Sequence, residues 1–277
     1  MKLKQHHISK ITRTENHNPI SNGVMEGRTT TSHQEMEIVH FNRQAENWWR
    51  PNVSLPGLHL MNSVRVPFIR DSLLFDTELV DASKPLEGWT ILEVGCGGGI
   101  LTEEIAKLNA NIVGIDLAED CISAAQNHLV VLENDVRSRI TYKAESIEEH
   151  LEDNEGKYDA VLISEVIEHI EPQQQEEFLR FCVRCVKHSG SIVITTINKT
   201  LSAWLYVILV GEYIRMKIPK GTHHWRQLIS PETVGKYLMK ANCEVKSVVG
   251  YNYNFLNLAY NFIENTNYYF AVHAVRK

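Results

Sequence analysis

The sequence predicts an α/β fold, a doubly wound and mostly parallel sheet of seven strands with helices on both faces. Three observations carry that reading. Apolar runs alternate with helical patterns over most of the chain, a glycine-rich turn follows the first run at Glu93–Gly99, and an acid, Asp116, closes the second run. Runs that are apolar throughout, with no in-and-out alternation, are strands buried on both sides, as in parallel sheets. Ligands of such sheets bind beyond the carboxyl ends of the strands.

In chain order, residues 35–79 read as an N-terminal helical cap: "HFNRQAENWW" sets Phe41, Ala45, Trp48 and Trp49 at near-helical spacing, and "NSVRVPFIRDSLLF" follows a Pro-broken loop. The seven strands are then "TILEVGC", "NIVGIDL", "ITYKAE", "YDAVLISE", "GSIVITTIN", "CEVKSVVGYNYN" and "YYFAVHAVRK". Helices "GILTEEIAKLN", "EDCISAAQNHLVVLE" and "QQQEEFLRFCVRCVK" fall between them. "ISPETVGKYLMKAN" is a further helix, with Ser230 as N-cap and Pro231 at the first helical position. The alternation of the last strand suits an antiparallel closing strand.

With 277 residues, 43% of them hydrophobic, the chain is long enough for one large core. Residues 35–277 are read as one domain carrying an apolar insert at 201–221, and residues 1–34 as a disordered or targeting segment. Lys2, Lys4, Lys10 and Arg13 with no acid before Glu15 are compatible with an organelle presequence, and Ser-, Asn- and His-rich composition equally with a plain unstructured terminus. A net charge of −6 and a pI near 6.1 exclude a general nucleic-acid binder. Five scattered cysteines make no disulfide framework, and Cys182 and Cys185 sit late in a helix, where apolar packing explains them better than redox or zinc chemistry.

"EVGCGGG" joins a strand to a helix, so its backbone can approach a ligand closely. The dinucleotide spacing fails because Ile100 stands where the last glycine is needed, and no Gly-Lys-Ser/Thr follows for a phosphate loop. What remains is E-x-G-x-G-x-G, with Asp116 placed to accept both hydroxyls of a ribose. These features, with the fourth-strand segment, resemble the Rossmann-like class I S-adenosylmethionine-dependent methyltransferases. The resemblance implies that the sulfonium cofactor lies over the glycine turn, with its adenine near Glu145 or Ser146. Arg65 is a candidate for the cofactor's carboxylate, which a guanidinium holds through two parallel hydrogen bonds.

Further segments, "WW", "LHLMNSVRVPFI", "SEVIEHI", "TTINKT" and "VGEYIRMKIPKGTHHWRQLISPE", resemble the ubiquinone biosynthesis O-methyltransferases from about Phe41 to Gly235. The match weakens over the last forty residues. It implies methyl transfer to a phenolic hydroxyl of a polyprenylated dihydroxybenzene, with Arg65, Gly95, Gly97, Asp116 and Ser164 falling on the family's cofactor contacts. It further implies mitochondrial placement on the matrix face of the inner membrane, the cytoplasm being the alternative, and membership of a multi-enzyme ubiquinone biosynthesis complex.

Glu165, Glu168 and His169 would share one side of a helical turn. Two carboxylates so close repel and raise one pKa unless a cation lies between them, which points to a divalent metal, Mg²⁺ first. Such an ion would be chelated by two catechol oxygens and lower the phenol pKa. The resemblance agrees, since eukaryotic members are associated with a divalent ion at E-x-x-E-H. The rival roles are His169 as general base and a solvated helix start. His223 is the candidate for assisting deprotonation, a surface histidine being its alternative. The 201–221 insert is too short for a bilayer of roughly 20 residues, but its Trp204, Tyr206, Tyr213, Arg215, Lys217 and Lys220 suit an anionic membrane surface. Burial over the sheet is the competing reading. Two other functions stay open: methyl transfer to another small or lipidic acceptor, and a non-catalytic lipid-binding member of an assembly.

Overall fold

The computed structural model describes residues 31–49, 56–76, 81–206, 225–254 and 256–277. Helices α1 (Ser32–Asn42) and α2 (Pro56–Leu73) lead into β1 (Thr90–Val94), α3 (Ile100–Ala106), β2 (Asn111–Asp116) and α4 (Glu119–His128). A one-turn α5 (Asn134–Arg137) precedes β3 (Ile140–Ala144), α6 (Ile147–Asn154), β4 (Tyr158–Ser164), α7 (Gln175–Cys185) and β5 (Val186–Ile197). The chain closes with α8 (Leu201–Tyr206), α9 (Pro231–Lys240), β6 (Cys243–Asn254), β7 (Ala259–Ile263) and β8 (Tyr269–Arg276).

The sheet runs β3-β2-β1-β4-β5-β8-β6-β7. Strands β1 to β5 are parallel, and β8, β6 and β7 pair antiparallel beyond β5. The sheet therefore has eight strands where seven were expected. The eighth is β7, whose sequence "AYNFI" lies among Asn257, Asn261, Asn265 and Asn267 and so reads as turn. Pairing with β6 forms it all the same, and it turns Tyr260 inward while Phe262 stays exposed. Helix α1 begins at Ser32, three residues ahead of expectation, because Thr31 and Gln34 close a capping box around its first turn.

Alternate strand residues feed opposite faces, as the period of two requires. Ile91 and Leu162 enter a core under α2 and α3 with Phe68, Ile69 and Ile105. Leu92 and Val161 enter a second core under α7 and α9 with Leu179 and Leu238. All five cysteines are free and buried, and Cys182 and Cys185 pack α7 into the second core, as their helical spacing implies.

Gly99 caps α3 with φ +85°, and a Cβ there would strike the Tyr142 hydroxyl. Gly99→Ala is therefore expected to destabilise the fold by about 2 kcal/mol, combining left-handed strain with overpacking. Scanning calorimetry should show a fall in Tm of roughly 4–8 °C; an unchanged Tm would mean that the loop relaxes at no cost.

Candidate active site

The glycine spacing now has a geometric cause. Gly95, Gly97 and Gly99 all have positive φ, so every second residue of the turn sits where an L side chain is strained. The loop is tied down by the Gly95 and Cys96 amides, which donate to the Ile115 carbonyl. Above it lies Trp48: a Cβ on Gly97 would come within 2.5 Å of the indole. Trp49 donates its indole N–H to the Gly98 carbonyl at 2.8 Å and stacks on His128. The "WW" pair thus holds the outer side of the turn, a role that helical spacing does not reveal.

Asp116 ends β2 beside this turn. Its Oδ2 accepts the Gly97 amide at 2.8 Å and its Oδ1 the Ala118 amide at 2.8 Å. Burial raises its pKa, and those amide bonds oppose the rise. Glu93, two residues before the first glycine of the turn, is buried and accepts the Thr102 hydroxyl at 2.5 Å. Burial pushes it up to about 7 against the hydrogen bond from Thr102 and the pull of Arg65. Sequence reasoning noted this acid but gave it no place.

Arg65 and Ser164, 99 residues apart in the chain, meet: Nη1 of Arg65 donates to the Ser164 hydroxyl at 3.0 Å. Arg65 is buried rather than on a solvated face. Its Nε and Nη2 are taken by Asn62 and the Leu58 carbonyl, so one Nη1 hydrogen is left by the described residues. The expected parallel pair of bonds to a carboxylate is therefore replaced by one bond and a buried positive charge. Glu145 and Ser146 follow β3 as expected, but the Ser146 hydroxyl caps α6 and Glu145 pairs with His150.

The acidic cluster departs from expectation. Glu165 has φ +57°, and only Ile167–His169 forms a 3-10 turn, so Glu165, Glu168 and His169 do not share a helical face. Glu165 Oε1 accepts the Thr195 and Tyr251 hydroxyls, each at 2.9 Å. Glu168 Oε2 accepts the Thr196 hydroxyl at 2.7 Å, and His169 Nδ1 lies 3.0 Å from Glu37 Oε2 on α1. Neighbouring residues of a strand point to opposite faces, so Thr195 and Thr196 draw the two carboxylates apart. Among the described residues no three His, Cys, Asp or Glu groups converge as a metal site. The anticipated repulsion is present, however: burial, then the charge of Glu165, lifts Glu168 to about 8. Burial lowers the His169 pKa, but Glu37, Glu168 and Glu165 together outweigh it, and the net shift is upward. His223 and most of the 201–221 insert lie outside the described residues.

These groups line one cavity of about 260 Å³, which reaches from Trp48, Gly95, Gly97 and Asp116, past Glu145 and Arg65, to Glu165, Glu168 and His169. Its far wall is Tyr260 and Tyr269, supplied by the antiparallel strands. Tyr251 packs behind them, stacked on Tyr269 at 5.2 Å. The phenols of all three are raised, first by burial, so they are neutral donors. Sequence reasoning missed this wall; its signal was the recurrence of Tyr in the last three strands.

Comparison with known proteins agrees with this geometry. A methyltransferase domain family model matches residues 69–248. The ubiquinone biosynthesis O-methyltransferase of Rattus norvegicus, described as mitochondrial, is 40% identical over 90% of this chain and 71% of its own length. The human protein of the same name is 40% identical over 87% of this chain and 64% of its own length. The corresponding protein of Pelagibacter ubique, whose name carries no compartment, is 32% identical over 83% of this chain and 93% of its own. Among solved structures, a magnesium protoporphyrin IX methyltransferase from Synechocystis with bound SAH superposes with a TM-score of 0.59 at 17% identity, over 88% of this chain and all of that one, a likeness of fold.

Proposed function

The chain belongs to the ubiquinone biosynthesis O-methyltransferases, and from that membership we propose that it moves a methyl group from S-adenosylmethionine to a phenolic oxygen of a polyprenylated dihydroxybenzene. It is an S-adenosylmethionine-dependent O-methyltransferase rather than a non-catalytic member of an assembly. The observation that carries the substrate reading is one cavity joining a glycine cradle and ribose acid to a wall of acids and tyrosines.

The residues fit the cofactor. Gly95 and Gly97 line the cavity with bare backbone, Asp116 has acceptor capacity left for ribose hydroxyls, and Arg65 is a buried cation for a carboxylate. When bound, the sulfonium cofactor would supply an electrophilic methyl group for a phenolate oxygen, the electron pair of the broken C–S bond going to sulfur. The protein's share is alignment, exclusion of water and removal of the phenol proton. Tyr260 and Tyr269 supply an apolar face for the acceptor ring, and Glu165 is the carboxylate at hand for that proton, since Glu168, raised to about 8, holds a proton of its own near neutral pH.

A divalent cation, Mg²⁺ first, fits the donor chemistry of Glu165, Glu168 and His169: burial, then the charge of Glu165, holds Glu168 upward, and a cation would favour its ionised form. Holding it requires His169 to exchange Glu37 and the carboxylates to turn toward each other. Bound, the ion would lower the phenol pKa and orient the adjacent oxygen.

Placement on the matrix face of the inner mitochondrial membrane, beside other enzymes of the same pathway, belongs to the same proposal. Exposed Leu201, Leu205, Trp225, Leu256 and Leu258 support contact with a lipid surface. No described helix is long and apolar enough to cross a membrane. Deleting residues 207–220 is expected to reduce co-sedimentation with anionic vesicles several-fold; undiminished sedimentation would remove the insert from the proposal. The function itself is tested by incubating the pure protein with S-adenosylmethionine and a prenylated catechol, before and after chelator. Methylated catechol is expected by mass spectrometry, and its absence in both arms would overturn the reading.

A further inference from the structure

The "TTIN" segment ends β5 directly beside the end of β4, with Ser164 and Thr195 in register. Four hydrogen bonds there form one chain. Arg65 Nη1 donates to the Ser164 hydroxyl at 3.0 Å, Ser164 and Thr195 hydroxyls lie 2.8 Å apart, and Thr195 and Tyr251 donate to Glu165 Oε1 at 2.9 Å each. The direction is forced. Thr195 spends its hydrogen on Glu165, so Ser164 must donate to Thr195 and accept from Arg65. A cation stands at one end and a carboxylate at the other, and the hydroxyls between them are oriented by both.

Glu165 also departs from ordinary backbone geometry, with φ +57° on a non-glycine residue. Such a conformation persists only where the surroundings over-determine it. Its surroundings are the Thr195 carbonyl, which accepts the Glu165 amide at 2.9 Å, and the two hydroxyls on Oε1. Oε2 is the oxygen left unengaged by the described residues.

We propose that Thr195 and Tyr251 are positioning residues that hold Glu165 in this strained conformation and present its Oε2 to the acceptor side of the cavity. Thr195 is the joint between the cofactor end of the chain of bonds, at Arg65, and the acceptor end, at Glu165. The proposal deepens the O-methyltransferase reading and rests on it, but it is separable from it by experiment. Groups behind a ligating or reacting carboxylate are worth roughly 10–100-fold in metal affinity or activity when removed.

The experiment compares Thr195→Val, Thr195→Ser and Tyr251→Phe with the wild-type protein in three measurements. These are turnover of a prenylated catechol, Mn²⁺ binding to the protein alone by electron paramagnetic resonance, and S-adenosylhomocysteine affinity by calorimetry. Thr195→Val and Tyr251→Phe are expected to lower kcat and Mn²⁺ affinity by about tenfold or more. S-adenosylhomocysteine affinity should stay within about threefold, because Ser164 keeps its bond to Arg65. Thr195→Ser, which keeps the hydroxyl, should retain wild-type behaviour. The proposal is overturned if Thr195→Val matches wild type in both kcat and Mn²⁺ affinity, or if Thr195→Ser is as impaired as Thr195→Val. Should Tyr251→Phe fail to fold, the Thr195 pair decides alone. Should the wild-type protein leave the catechol unmethylated, the substrate reading fails, and the Mn²⁺ comparison still decides the positioning role.

Discussion

Replacing Asp116 by Ala is expected to abolish measurable binding of S-adenosylmethionine, with a loss of at least about 100-fold in affinity. Two hydrogen bonds from ribose hydroxyls to a half-buried carboxylate are charge-assisted, at about 1.5–3 kcal/mol each, and every 1.4 kcal/mol is tenfold. The side chain has a second duty, since it accepts the amides of Gly97 and Ala118. Removal leaves two buried donors unpaired at the turn on which the cofactor must lie. Asp116→Asn should be nearly as damaging, because its amide nitrogen would face one of those amide donors and neither group could accept. Calorimetry with S-adenosylhomocysteine checks this, with exposed Asp120→Asn as the neighbouring control. An Asp116→Ala protein that binds within about threefold of wild type would place the ribose elsewhere.

The parallel half of the sheet was legible because β1, β2, β4 and β5 are buried on both faces, which leaves a continuous apolar trace in the sequence. Gly95, Gly97 and Asp116 were legible for a different reason: left-handed turns and buried acids restrict residue type at fixed spacing. Arg65 and Ser164 were found through a resemblance, since nothing local joins residues 99 apart, and the structure brings them into contact. What failed was the assumption of regular helix after β4. A left-handed Glu165 followed by Val166 at φ −124° breaks the three-and-four spacing on which the metal geometry depended. That break comes from hydrogen bonds with Thr195 and Tyr251, 30 and 86 residues away, which no short window contains. The eighth strand was hidden in the same way, because pairing with β6 overrides an Asn-rich composition.

Glu165→Gln combined with Glu168→Gln is expected to reduce kcat by about 10²–10⁴, the span that positioned acid–base chemistry supplies. Affinity for S-adenosylhomocysteine should change less than threefold, since neither residue bonds the glycine turn or Asp116. The same substitution carries a stability signature that separates charge from shape. In the folded protein Glu168 is raised from 4.5 to about 8, first by burial and then by Glu165. A carboxyl raised on folding contributes stability that is complete below about pH 4.5 and is lost as the pH climbs through about 8. Glu168→Gln carries no titrating group, so its stability should approach that of wild type near pH 5 and exceed it above pH 8 by an amount on the order of a few kcal/mol, seen as a higher Tm. Added Mn²⁺ should narrow that gap by stabilising the wild-type carboxylate pair and leaving the variant unaffected. A double variant that turns over normally would remove both the carboxylates and the cation from the reaction. A gap at pH 9 that Mn²⁺ fails to narrow would keep the carboxylates and remove the cation alone.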